Sequence, residues 1–272
     1  TLQPFFEIYI KANLLLRNQL SNCSVVWIVM DAIFITCHNN STCYCIIREK
    51  GVIGMCGRFT LALSKEVIES TLDVYLDELE PSYNIAPTQR VLSIVQGKEE
   101  KRAGFMRWGL IPSWAKDKKI GSRMINARSE TVDKKPSFKH LLSRRRCLIV
   151  ADGFYEWDQH GKEKQPYRFS LKNNPVITFA GLWDRWEEED NEIISCTILT
   201  TDANEDMNKF HHRMPVILDE QKREKWLDRS ITNHESLKSL LTPLPEGEIT
   251  YYPVSKNVNS PKNNHSELLN SL

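Results

Sequence analysis

Net charge is the first thing the sequence lacks. Its 272 residues carry 36 Lys and Arg against 35 Asp and Glu, a formal +1. No overall field therefore points to a nucleic acid or a membrane surface, and any such partner must be met by a local patch. A membrane-length apolar run is missing too. VVWIVMDAIFI at 25–35 is too short to span a bilayer and is broken by Asp31. It has no basic start directly before it and no small-residue cleavage site after it, which argues against a signal peptide. Internal repeats, low-complexity linkers and a second domain are not apparent. Cysteines are few in the main body: Cys23, Cys37, Cys43 and Cys45 precede residue 54, and only Cys56, Cys147 and Cys196 follow it. Three well-spaced cysteines do not make a disulfide framework, which favours a reducing, cytosolic setting. The odd count leaves room for one working thiol.

Residues 1–54 differ in character from the rest. The segment begins with Thr1 and shows no clear helical or strand period. Cys37, His38, Cys43 and Cys45 bring metal ligands together, but without the C-x-x-C spacing of a zinc site. Lys-Gly-Val-Ile-Gly just before Met55 back-translates to a purine-rich run of the kind that precedes a bacterial start codon. The expectation is that residues 1–54 are translated leader or a non-native extension, and that 55–272 form the domain.

From Met55 onward the chain reads as folded. SKEVIESTLDVYLDEL has apolar residues at helical spacing behind Ser64 as N-cap, and SFKHLLSRR and DEQKREKWLDR read as further helices. RVLSIVQG, RCLIVADGFYEW, QPYRFSL, VITFAGLWDRW, IISCTILTTDA and MPVILD read as strands, rich in β-branched and aromatic residues. Strands outnumber helices and do not alternate with them. The expected class is α+β, a mostly antiparallel curved sheet or open β-barrel with flanking helices.

Charge is neutral in sum but polarised along the chain. Without residues 1–55, 32 charges of each sign remain, yet Lys101 to Arg146 holds 14 Lys and Arg against three Asp and Glu. DRWEEEDNE from Asp184 is strongly acidic. A charge run is ordinarily a solvated face. Here the basic segment also contains Trp108, Trp114 and Phe138, and a basic groove with aromatic platforms suits single-stranded nucleic acid. Four short motifs carry the remaining chemistry: MCGRF at 55–59, INARSET at 125–131, DGFYEW at 152–157 and HHRMPVIL at 211–218. Singly each is weak, because a lone Glu156 or His211 is more often a packing or ion-pairing residue.

Those motifs, with YNIAPTQ, RWGLIPSWAKD, FAGLWDRW, TILTTDAN and VNSPKNN in the same order, resemble the SRAP (SOS response-associated peptidase) domain of abasic-site processing proteins. The resemblance runs from Met55 to about Leu272. It implies the SRAP fold and a covalent thiazolidine crosslink to abasic sites in single-stranded DNA, formed by Cys56 once that residue is the N-terminus. It implies Cys56, Asn126, Glu156 and His211 as the catalytic set. Glu156 is the acid/base beside the amine and thiol, His211 assists sugar opening and link reversal, and Asn126 orients the sugar. Arg58, Arg128 and Arg213 are the implied phosphate binders, since a guanidinium fork matches phosphate oxygens. Trp108 and Trp157 are candidates to stack on bases, with a core role open for either. No metal or organic cofactor is implied. The setting implied is a bacterial cytoplasm, at the nucleoid, in the SOS response to DNA damage, and a monomer is the simplest assembly.

An uninterrupted chain gives Cys56 a thiol but no α-amine. A start at Met55 followed by removal of that methionine, or an autolytic cut by the hydrolase (peptidase) activity in the family's label, would expose it, and lyase-like chemistry accompanies the crosslink. Two alternatives stay open: a cysteine peptidase with Cys56 as nucleophile and His211 as base, and a non-catalytic single-stranded DNA-binding module in which Cys56 only packs.

Overall fold

The computed structural model describes residues 57–158, 163–189 and 191–272, together with the backbone of three strands near the N-terminus. The chain divides into two compact units, 1–52 and 53–272. In the first, β1 (Cys23–Val29), β2 (Ala32–Cys37) and β3 (Thr42–Cys43) form an antiparallel sheet, with Trp27 opposite Phe34. Strand structure thus occurs where the sequence shows no clear period. His38 and Cys45 of the weighed zinc set lie outside the described residues.

The second unit contains β4 (Phe59–Leu61), α1 (Lys65–Leu72), β5 (Ser82–Ile85), β6 (Arg90–Gln96), β7 (Lys101–Trp108), β8 (Asn126–Arg128), α2 (Pro136–Leu142), β9 (Arg146–Ala151) and β10 (Gly153–Trp157). There follow β11 (Pro166–Leu171), β12 (Ile177–Glu188), β13 (Asn191–Asp202), α3 (Glu205–Asn208), β14 (Arg213–Pro215), α4 (Glu220–Leu227), α5 (His234–Lys238) and β15 (Ile249–Pro253). Pairing runs β12–β9–β6–β7–β13 and returns from β13 to β12, closing a five-strand ring. Closure removes most exposed edges. β13 also carries β14, antiparallel, and β8, parallel. A second sheet has the order β15–β11–β10–β4–β5. The class is α+β and mostly antiparallel, as the strand-rich sequence predicts.

RCLIVADGFYEW reads as one strand but forms two, in different sheets, with the break at Asp152. Its buried carboxylate accepts from the Thr60 hydroxyl and, at 2.7 Å, from the Ala62 N–H, and Arg168 donates to it at 3.2 Å. Those bonds offset the cost of burying a charge at the corner and turn the chain out of the ring. Glu156 thereby sits in the second sheet. The core joins the two sheets through aromatic rings: Phe59 lies 5.1 Å from Trp108 and 5.8 Å from Phe179, and Phe154 stacks on Phe169 at 5.2 Å.

The helix expected through SKEVIESTLDVYLDEL stops at Leu72. Asp73 turns left-handed at φ 50°, and the Glu69 carboxylate accepts the Leu76 N–H at 2.8 Å, closing the helix with a local bond. DEQKREKWLDR forms the predicted helix behind Asp219, whose side chain accepts the Lys222 N–H at 2.8 Å. β7 escapes sequence reading because three of the eight residues of KRAGFMRW are charged and break the alternation, and β4 and β8 because three residues are too few for a period. No helix among the described residues is long and apolar enough to cross a membrane.

Candidate functional site

The site begins where β4 meets β10. Gly153 pairs with Thr60 and Phe154 with Phe59, and the Tyr155 N–H donates to the Arg58 carbonyl at 2.9 Å. Extending that register sets the buried Glu156 opposite Gly57, the neighbour of Cys56. Cys56 itself lies outside the described residues. On the other edge of β10, Glu156 pairs with Tyr167, whose ring packs 4.9 Å from Phe210, the residue before His211.

Arg58 and Trp157 flank this strand pair and share one anchor. Arg58 donates to the Val258 carbonyl at 2.7 Å, to the Asn259 carbonyl at 3.3 Å and to the Asn84 side chain at 2.8 Å. The Trp157 indole N–H donates to the Asn259 side chain at 2.7 Å. Burial lowers the pKa of Arg58. Its guanidinium is engaged by the closing VNSPKNN segment, which gives Arg58 a tethering role beside the phosphate contact expected of it. Asn84 completes the tie, donating to the Val258, Ser260 and Asn263 carbonyls at 3.2, 3.0 and 2.9 Å.

INARSET and HHRMP meet along β13. Asn126 pairs with Ile198 and Arg128 with Thr200, while Arg213 pairs with Asp202 from the opposite side of that strand. The exposed Arg128 makes no ion pair among the described residues and remains available to phosphate. Arg213 is buried. Its guanidinium takes both Glu130 oxygens at 2.6 and 2.9 Å, Asp202 at 2.7 Å and the Thr200 carbonyl at 2.7 Å. Its fork already grips the Glu130 carboxylate, with which the phosphate expected at Arg213 would have to compete.

What Arg213 offers the site is its backbone. Its N–H donates to His211 Nδ1 at 3.0 Å. A main-chain N–H can only donate, so Nδ1 carries no proton and the neutral ring holds its proton on Nε2. Burial lowers the His211 pKa below the ordinary 6.5, and the neighbouring His212, stacked at 4.3 Å, lowers it further. The ring stays neutral at pH 7. A pH–rate profile for any reaction at this site is accordingly expected to show no His211 inflection between about pH 6.5 and 8, and an NMR titration of the ring would check it.

Trp108 takes the core role left open for it. It is fully buried against Phe59, and its indole N–H donates to the Ile125 carbonyl at 2.9 Å, so no face is open to a base. Exposure falls instead on Trp114, 60% exposed in the same basic segment. The loop is held on both sides of that indole. Ser113 N–H donates to Asp184 at 2.8 Å, and the Trp186 indole N–H donates to the Ala115 carbonyl at 2.7 Å. Asp184 is in turn held by Arg145 at 2.6 Å. An exposed ring on a fixed loop loses little entropy when it stacks. Trp114→Ala is expected to weaken single-stranded DNA binding about tenfold with little change in unfolding temperature, and Trp108→Ala to cost about 3–5 kcal/mol of stability. Fluorescence anisotropy and thermal unfolding of the two variants separate these effects.

Known proteins resemble this chain in sequence and fold. A family-wide sequence profile described as SOS response associated peptidase (SRAP) matches residues 55–261. The abasic site processing protein YoqW of Bacillus subtilis is 48% identical over 223 residues, covering 80% of this chain and 100% of that protein. The abasic site processing protein HMCES of Gallus gallus is 36% identical, over 70% of this chain and 66% of its own length. A crystal structure of a Bacteroides thetaiotaomicron protein superposes with a TM-score of 0.73 at 26% identity, over 80% of this chain and 100% of that one. Since the profile runs unbroken from the residue before Cys56 to the segment that tethers Arg58 and Trp157, the chain belongs to the SRAP family.

Proposed function

We propose that the protein processes abasic sites in single-stranded DNA by bonding to them covalently through Cys56. The observation that carries this reading is the β4–β10 register: it sets Glu156 opposite Gly57, and Cys56 is the next residue. One residue spans at most about 3.6 Å, so the chain itself delivers the Cys56 amine and thiol to the neighbourhood of a buried carboxyl group. The printed names of YoqW and HMCES, both abasic site processing proteins, support the choice of lesion.

An abasic site is a sugar whose open form carries an aldehyde. The α-amine of an N-terminal Cys56 adds to that carbon, and loss of water leaves an imine. The thiol then adds to the imine carbon, its proton passes to nitrogen, and a five-membered thiazolidine closes. Nothing is oxidised or reduced. Opening the sugar and expelling water both require proton transfer, for which Glu156 is the group proposed, while the Nε2–H of a neutral His211 stabilises developing charge by hydrogen bonding. Nε2–H donates to the ring oxygen as the sugar opens, and Asn126 orients the sugar. Arg128 contacts phosphate, while Trp114 and Trp157 present rings to neighbouring bases.

The working N-terminus on this reading is Cys56, reached by initiation at Met55 and loss of that methionine, or by an autolytic cut; the profile's start at residue 55 supports the first. A peptidase with His211 as base toward Cys56 fits the geometry less well, because the tautomer fixed by Arg213 already holds a proton on Nε2. The remaining features proposed are a monomer in a bacterial cytoplasm, at the nucleoid, serving the SOS response. A denaturing gel of the chain starting at Cys56 with abasic single-stranded DNA tests the chemistry. Wild type is expected to give a heat-stable adduct and Cys56→Ser none; an undiminished adduct with Cys56→Ser overturns the reading. Glu156→Gln is expected to slow linkage by about 10²–10⁴-fold with binding retained.

A further inference from the structure

On elements that contribute nothing to the proposed DNA site, a groove of about 1110 Å³ runs beside β7. Leu92, Ala103 and Phe105 form its floor, on one face by the β6–β7 register, and the segment 73–78 after α1 forms its wall.

Three independent features meet there. The first is an open strand edge. β7 pairs with β6 throughout its length but with β13 only at Arg107 and Trp108, so 101–106 has no strand on its other side among the described residues. At the middle of that stretch, Gly104 has no atom within 4 Å of where a Cβ would stand. Alternate residues of an antiparallel strand aim N–H and C=O away from their partner, so an edge of this kind is a template for an added strand. The second is apolar. Tyr75 is 74% exposed and Phe105 42%, two of the five large apolar side chains exposed among the described residues, and both line this groove. The third is charge. Glu69, Asp73, Asp77, Glu78, Glu99 and Glu100 line the groove against only Lys101 and Arg102, and Lys101 is already paired with Glu224 at 2.9 Å. Lys65, paired with Glu69 at 3.6 Å, lies 4.8 Å over the Tyr75 ring and Arg90 lies 5.6 Å over the Phe105 ring, so both aromatic side chains already pack against a cation.

We propose that this groove binds an extended, lysine- or arginine-rich segment of a partner protein, which adds a strand to the β7 edge and lays alternate side chains over Phe105 and Tyr75. Main-chain bonds to the edge supply the docking mode. The acidic wall selects the sign of the partner's charge. Removal of Cys56 leaves this surface untouched, so the proposal stands or falls apart from the crosslinking chemistry.

The test is an amide-shift titration of the full chain with a seven-residue peptide of alternating lysine and valine. A glutamate–valine counterpart and a lysine–valine peptide N-methylated at alternate residues serve as controls. The lysine peptide is expected to shift the amides of 101–106 and 73–78 saturably, and both controls to bind at least about tenfold more weakly. The double variant Glu99→Lys, Glu100→Lys, both on the surface, is expected to lose the same factor with an unchanged unfolding temperature. Equal binding of the N-methylated peptide rules out strand addition. Equal binding of the glutamate peptide, or saturation at other residues, rules out the groove. Concentration-dependent shifts of 101–106 without peptide assign the edge to a second copy of the chain and also overturn the proposal.

Discussion

A chain that keeps even one residue ahead of Cys56 is expected to form no heat-stable adduct with abasic single-stranded DNA, while the chain that starts at Cys56 forms one. An acylated nitrogen is an amide, which does not add to aldehydes, and the thiol alone gives only a reversible hemithioacetal. The expected loss is about a thousandfold or more in adduct yield. The free α-amine is suited to the task by its basicity. With a pKa near 8 against about 10.4 for lysine, it is roughly 200-fold more often unprotonated at pH 7. The linkage rate should therefore rise nearly tenfold per pH unit up to about pH 7.5 and flatten above about 8. Intact-mass measurement of both chains after incubation with the oligonucleotide, across that pH range, checks the block and the profile together. A stable adduct from the blocked chain would point to a different nucleophile.

Asn84→Ala is expected to cost about 3 kcal/mol of stability and to lower the unfolding temperature by about 6–12 °C. The side chain is buried, donates to three carbonyls of the closing segment and accepts from Arg58. Alanine removes all four bonds and leaves their partners dry. Effects beyond stability follow from the shared anchor. Once 258–263 is released, the Arg58 and Trp157 side chains both lose their fixed positions, and the β4–β10 pair that delivers Cys56 loses its outer brace. Thermal unfolding reads the first effect. Limited proteolysis, with early cleavage beyond Pro253, reads the second; a tail that stays protected would show that the hydrophobic cluster of Tyr155, Val254, Val258 and Leu268 holds it alone.

The strands with regular apolar content, β6, β9, β12 and β13, stand where their residues predict. The motifs also mark the right neighbourhoods. Partner choice within them was hidden. Arg213 reads as a free cation because Glu130, its partner, is 83 residues away in sequence. Trp108 reads as a platform because it shares a basic segment with Trp114, although the same strand buries Met106, two positions away on the same face. The corner at Asp152 is invisible for a related reason: an Asp inside an apolar run signals a turn only when the groups that neutralise it, Thr60 and Arg168, are known. Local pattern specifies elements, while long-range pairing decides which charged and aromatic side chains stay accessible.

The tether between Arg58 and Val258 spans 200 positions of the chain. During synthesis the Cys56 end, the reactive terminus of the proposed function, therefore leaves the ribosome long before the segment that braces Arg58. At about 5–20 residues per second, the gap lasts roughly 10–40 s. For that interval an exposed Cys56 terminus would meet cellular aldehydes without the residues that select DNA, which makes the nascent chain more open to stray capping than the finished protein.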